Sequence, residues 1–170
     1  LDDDKSPSTI NKRLSILRGA CHIADDRDYT ETDLASTVKN LSVKSGRARY
    51  LRNEEYLELI RCCEHEQVKQ LLIFRTMTGI RNKELKRFAD SDNESGVKGN
   101  RIIIDGKGDK FRSFEIAPEA LEAASNIDFD NLLSYDVQRT HFNKAAREAG
   151  ITDIRLHDLR HTFASWLAQN

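Results

Sequence analysis

At 170 residues, with 38% apolar and 32% charged side chains, the chain has a globular balance and enough length to bury a sizeable core. Its formal net charge of -1 excludes a uniformly basic nucleic-acid binder, so any polyanion contact has to come from positive charge gathered on one face. No apolar run is long enough to span a bilayer and no charged-then-apolar leader opens the chain, which points to a soluble cytoplasmic protein without a membrane partner.

In chain order, the acidic opening Asp2-Asp3-Asp4-Lys5 is assigned no structure. Ser6 before Pro7 suits a helix start, and Ile10, Leu14, Leu17 and Cys21 predict one apolar stripe through about Ala24, with Lys12, Arg13 and Arg18 largely off it. Thr30 to Asp33 supplies a cap and early acids for a short second helix ending by Asn40. Two such helices cannot enclose much core, so they read as the tail of a helical domain. From Leu41 to Arg52 small residues alternate with Lys44, Arg47, Arg49 and Arg52, an interdomain linker whose four cations are able to neutralise several phosphates. Helix restarts with Asn53 as cap and Glu54 and Glu55 behind it; Leu57, Ile60 and Cys63 form its stripe. Cys21, Cys62 and Cys63 are odd in number and form no disulfide framework, and Cys62, Cys63 and His65 lack the spacing of a structural zinc site.

A deeply buried helix is predicted from about Gln67 to Met77, stopped by Gly79, with Arg81 at the junction to a short helix from Asn82 to Phe88. The period then changes. Arg101 to Asp105 and Lys110 to Ile116 read as the strands of a β-hairpin, joined by the glycine-rich turn Gly106 to Asp109, with Lys107 near its tip. Pro118 opens a helix to about Ala124, and Ser134 to Ala149 forms a longer one closed by Gly150. Ile151 to Arg155 leads into the last amphipathic helix, where Leu156, Leu159, Phe163, Trp166 and Leu167 form the apolar stripe. On that helix His157 and Arg160 project from one face, an imidazole and a permanent cation suited to a phosphate.

Three stretches, in order, carry more than any one alone: Thr78-Gly79-Ile80-Arg81-Asn82-Lys83-Glu84-Leu85, Gly106-Lys107-Gly108-Asp109-Lys110-Phe111-Arg112, and His157-Asp158-Leu159-Arg160-His161-Thr162-Phe163-Ala164-Ser165. From about Arg49 to Asn170 the chain resembles the catalytic domain of the tyrosine recombinases, the phage integrase family, and Ser6 to Asn40 resembles the last helices of that family's DNA-clamping core-binding domain. The resemblance implies a mainly α fold with a small antiparallel β-hairpin or sheet (α+β), divided into 1–45, the end of the core-binding domain plus the basic linker, and 46–170, the catalytic domain.

It also implies site-specific DNA recombination, with strand cleavage and rejoining through a 3′-phosphotyrosine. Arg81 and Arg160 match the two arginines that hold the scissile phosphate, Lys107 the lysine that protonates the leaving 5′-oxygen, and His157 the histidine that assists proton transfer. Glu84 matches an acid expected to orient Arg81, and His161 a buried hydrogen-bonding support. DNA contacts are expected from Lys12, Arg13, Lys44, Arg47, Arg49, Arg52, Lys110 and Arg112. No metal or other cofactor is implied, since arginines neutralise the charge. The implied partners are duplex DNA carrying a recombination site and other protomers, four on DNA, in a prokaryotic or phage-encoded protein.

Two departures from the family pattern stand out. Glu115 occupies a position that is often proline, and the family's Leu-Gly-His stretch with its tyrosine nucleophile does not follow the HxxR box within this sequence. Tyr29, Tyr50, Tyr56 and Tyr135 all precede that box and none matches the nucleophile. The chain is therefore expected to bind DNA and not to cut it. A non-catalytic DNA-binding regulator on the same fold is the alternative, with a eukaryotic-type topoisomerase ranked lower. A remote one is a zinc hydrolase, because His157 and His161 are spaced as in HExxH, although aspartate replaces the glutamate.

Overall fold

A computed structural model of the chain describes residues 5–33, 35–43, 49–90, 95–105 and 111–169. The acidic opening Asp2 to Asp4, the linker cations Lys44 and Arg47, and the hairpin tip with Lys107 and Lys110 lie outside the described residues. The chain divides into two compact units, Leu1–Arg47 and Ala48–Asn170. No helix among the described residues is long and apolar enough to cross a membrane.

In the first unit, α1 (Pro7–Asp26) starts as its residues dictate: the Ser6 hydroxyl accepts the Thr9 N–H at 3.2 Å and Pro7 holds the first helical position. In its apolar stripe Ile10, Leu14 and Cys21 are half-buried and Leu17 is exposed, as are Ile16 and Ile23 off the stripe. The second short helix expected between Thr30 and Asn40 is absent among the described residues, which form turns and extended chain. Asp33 explains this. Its carboxylate accepts the Ala35 N–H at 3.0 Å and its carbonyl the Ser36 hydroxyl at 2.8 Å, local bonds that compete with a helical ladder. The extended stretch instead lies along α1, where Asn11 exchanges two 2.8 Å bonds with the Leu41 backbone and Arg18 donates to Asn40 Oδ1 at 2.8 Å.

The second unit is built around α3 (Glu66–Thr78), whose buried residues include Val68, Leu71, Leu72 and Phe74 together with the polar Arg75, Thr76 and Thr78. Val68 and Leu72 face one core with α2 (Asn53–Cys62), α6 (Tyr135–Glu148) and α7 (Asp158–Gln169), where Leu59, Phe142 and Leu159 pack. Leu71 and Phe74 face a second core with α4 (Asn82–Phe88), α5 (Pro118–Ser125) and the sheet, where Leu85, Ile102, Ile104 and Ala120 pack. Each of these fully buried valine, leucine, isoleucine or phenylalanine side chains contributes about 1.5 to 3 kcal/mol relative to exposure.

The sheet has three antiparallel strands in the order β1 (Gly96–Lys98), β2 (Arg101–Asp105), β3 (Phe111–Glu115). The hairpin strands pair in the register Arg101 to Glu115 and Asp105 to Phe111, and Glu115 stands 3.7 Å from Arg101 as a cross-strand ion pair. β1 is an addition to the sequence reading: Gly-Val-Lys is too short to alternate, and the Gly99-Asn100 turn alone marks it.

At the start of α2 the cap is Arg52, one residue before the expected Asn53, because the Glu55 carboxylate reaches back to accept the Arg52 N–H at 2.9 Å. The same carboxylate takes a two-pronged grip from Arg49 at 2.6 and 3.0 Å. The Arg49 bonds, opposed by burial and aided by the Arg52 N–H, hold the Glu55 carboxyl down to about 2 from 4.5. Because the folded value lies below the unfolded one, this stabilisation is complete above pH 4.5 and is lost as pH falls toward 2. Thermal melts across that window should show a steeper acid-side fall for the wild type than for Glu55→Gln, and parallel curves would contradict it.

Candidate functional site

The site begins where α3 stops. Gly79 adopts φ 59° and donates its N–H to the Arg75 carbonyl at 2.9 Å, turning the chain so that Arg81 becomes the cap of α4. The Glu84 carboxylate reaches back to that cap. It accepts the Arg81 N–H at 2.8 Å through Oε2 and the Arg81 guanidinium at 2.6 Å through Oε1. From β3, Arg112 donates to the same Oε2 at 2.7 Å, and its own Nε is buried with no hydrogen-bond partner among the described residues.

Glu84 is 5% exposed, whereas the Arg81 side chain remains 54% exposed, so the buried carboxylate orients a cation that still faces solvent. Burial pushes the Glu84 carboxyl up, but the bonds from Arg81 and the charges of Arg112 and Arg81 outweigh it, and the group sits below its ordinary value. Arg160 joins from α7, donating through one guanidinium nitrogen to the Gly79 carbonyl. Its pKa is lowered by burial first and then by the like charges of Arg81 and Arg112, with Glu84 acting against them. Three guanidiniums therefore surround one carboxylate, and positive charge remains in excess. Arg112 and Arg160 also line an open groove of about 420 Å3 whose remaining wall is Phe163, Ala164, Leu167 and Ala168 of α7.

The pose of α7 is set on its other face. The Thr162 hydroxyl accepts the Leu51 N–H at 3.0 Å and the Trp166 indole donates to the Leu51 carbonyl at 3.1 Å, while Leu159 is buried in the first core. With that face pinned, Arg160 and Phe163 are turned toward Gly79.

His157 differs from expectation: α7 starts at Asp158, and His157 lies in the turn before it, its carbonyl accepting the Arg160 N–H at 3.1 Å. Asp158 makes that turn by accepting the Arg155 N–H at 2.9 Å. His161, expected to be buried, is exposed because it lies opposite the face that Leu159 and Thr162 bury; its ring stands edge-on to His157 with centroids 5.6 Å apart. Leu167, counted in the apolar stripe, is 67% exposed on the groove side.

The other expected contact residues divide. Lys12 and Arg13 lie on exposed positions of α1 in the first unit. Arg49 is engaged by Glu55, and Arg52 stands 3.7 Å from the same carboxylate with its side chain largely open. Tyr56 is buried edge-on to Trp166, and burial pushes its hydroxyl pKa up to about 12; Tyr135 packs against the same core. Sequence reasoning did not find Thr162 or Trp166 as anchors of α7, nor the convergence of Arg112 on Glu84. The single available signal was Thr162 at the spacing of a buried face, three after Leu159 and four before Trp166.

A family model described as the phage integrase family matches residues 49–170. The chain belongs to the phage integrase family, the tyrosine recombinases. An integrase of Salmonella phage P22 is 27% identical over 186 residues, covering 95% of this chain and 47% of that protein, so the chain spans about half the length of this relative. The fold is shared with lambda integrase residues 75–356 bound to DNA, at TM-score 0.75 and 15% identity over 98% of this chain and 67% of that one. It is shared as well with the Tn1549 transposon integrase (residues 82–397) in complex with circular intermediate DNA, at TM-score 0.71 and 16% identity over 99% of this chain and 68% of that one. For a phage integrase-family chain, the helix-rich second unit with its small antiparallel sheet is the architecture those neighbours carry.

Proposed function

We propose that this chain grips one phosphate of duplex DNA for site-specific recombination by a tyrosine recombinase. The observation that carries the reading is the gathering of Arg81, Arg112 and Arg160 around the buried Glu84 carboxylate, an excess of fixed positive charge on rigid elements. In the proposed roles, Arg81 and Arg160 bind the non-bridging oxygens and stabilise the charge that builds on phosphorus in the transition state. Losing one such preorganised donor commonly costs about 100- to 1000-fold in rate. Glu84 holds Arg81 in register, Arg112 braces Glu84 and adds positive charge, His157 contacts the phosphate and assists proton transfer, and His161 steadies its ring. Lys107 protonates the leaving 5′-oxygen.

Two domains are part of the same proposal: 1–45 as the end of a DNA-clamping helical domain with its basic linker, and 46–170 as the catalytic domain. Lys12, Arg13, Lys44, Arg47, Arg52 and Lys110 contact the flanking backbone, with Arg49 committed to Glu55. Lambda integrase forms a dimer bound to a COC′ core site and a tetramer bound to a Holliday junction, and by likeness of fold this chain acts on DNA beside other protomers.

Cleavage through a 3′-phosphotyrosine requires an attacking hydroxyl opposite the leaving oxygen. Tyr56 is buried in the first core and Tyr135 packs against it, whereas Tyr29 and Tyr50 are exposed; since none of the four stands at the motif position of the nucleophile, these 170 residues are read as binding without cutting. The test is a retardation titration of a labelled mixed-sequence duplex across salt, run beside a nicking assay on supercoiled plasmid. Salt-sensitive binding with intact plasmid is expected. Binding insensitive to salt, or nicked plasmid, would contradict the reading.

A further inference from the structure

Arg75 is 5% exposed in the body of α3, and its described partners are neutral: Gln138 Oε1 at 2.8 and 3.1 Å and Asn82 Oδ1 at 2.9 Å. Gln138 is itself 1% exposed and tied down by donating to the Leu133 carbonyl at 2.6 Å. Burial pushes the Arg75 pKa down to about 10. A well-packed apolar side chain is often as stable as a buried ion, so stability alone is a poor account of an arginine here.

The geometry gives another. Arg75 holds both sides of the corner that presents Arg81: its carbonyl accepts the Gly79 N–H at 2.9 Å, and its guanidinium donates to Asn82. We infer that Arg75 is a positioning residue for Arg81, fixing the Gly79 to Asn82 corner through the Asn82 side chain so that the Arg81 guanidinium is pre-aimed at the phosphate. This rests on the phosphate-gripping role proposed above.

The test measures binding of a labelled mixed-sequence duplex at several salt concentrations, well below each variant's melting temperature, for Arg75→Met, Arg81→Ala and the double variant. Arg75→Met is expected to weaken binding by about threefold to tenfold, the range for a residue that acts through another. The double variant is expected to bind no more weakly than Arg81→Ala alone, because Arg75 acts only through Arg81. A merely structural arginine would give losses that add.

Asn82→Ala cuts only the link to α4 and should give the same non-additive pattern at smaller size, so it carries the test if Arg75→Met does not fold. Arg75→Lys, which keeps a donor for Asn82, should recover part of the loss. Wild-type binding by both Arg75→Met and Asn82→Ala, or additive losses with Arg81→Ala, would overturn the inference while leaving the site intact. Wild-type binding by Arg81→Ala would overturn the site itself.

Discussion

Replacing Arg160 with alanine should weaken duplex binding by about tenfold to a hundredfold, the worth of one charge-assisted hydrogen bond to a phosphate. The loss should be similar on unrelated sequences, because a phosphate contact carries no base information. Arg160 has two tasks: one guanidinium nitrogen is spent on the Gly79 carbonyl, and the rest of the group faces the groove it lines with Arg112. A lysine restores the charge without the planar fork that serves both partners. Arg160→Lys should therefore keep most of the salt dependence while recovering only part of the affinity. Fluorescence anisotropy across salt separates the two variants, and full affinity in Arg160→Lys would contradict the two-sided role.

Gly79→Ala should be among the most destabilising single-methyl changes in the chain. Two independent penalties meet there. The backbone is at φ 59°, where a Cβ costs roughly 1 to 2 kcal/mol. A methyl would also stand 3.0 Å from Phe163 Cγ and closer still to Cδ1, and overpacking of this kind costs about 1 to 3 kcal/mol. Phe163 packs on Phe114 of β3 with centroids 6.0 Å apart on one side and lines the open groove on the other, so the ring can relieve the clash only by moving toward the groove and off Phe114. A total of roughly 3 kcal/mol corresponds to a drop of about 10 °C in Tm for a domain of this size. Pairing the change with Phe163→Leu should recover the steric part and leave the backbone part. DNA binding should fall in step, because the Gly79 carbonyl is what Arg160 holds. A Gly79→Ala protein that melts within two or three degrees of wild type would show that the corner is softer than described.

The elements that were legible in the sequence share a cause. The second unit's helices announce themselves through long apolar stripes and strong end signals, such as Ser134 before α6, Pro118 in α5 and Gly79 after α3. The stretch from Thr30 to Asn40 lacked a stripe and offered only a cap signal, and Asp33 used its capping capacity for a turn instead. His161 illustrates a different limit. Periodicity told that the last helix was amphipathic but not how it was rotated, and rotation is decided by Thr162 and Trp166 gripping the Leu51 backbone more than a hundred residues earlier in the chain. The same holds at the site. Arg81, Glu84 and Arg160 stood out by motif, whereas the convergence of Arg112 on Glu84 and the support of Arg81 by Arg75 and Asn82 are products of packing between α3, α4 and β3.

If Arg81 and Arg160 hold the same phosphate, the salt dependence of the Arg81→Ala/Arg160→Ala double variant shows it most directly. Each phosphate neutralised contributes about 0.9 to the slope of log affinity against log salt. If both guanidiniums grip one phosphate, the double variant should lose about one unit of slope relative to wild type. A loss of about two would place the arginines on separate phosphates, and an unchanged slope would remove the pocket from DNA binding altogether.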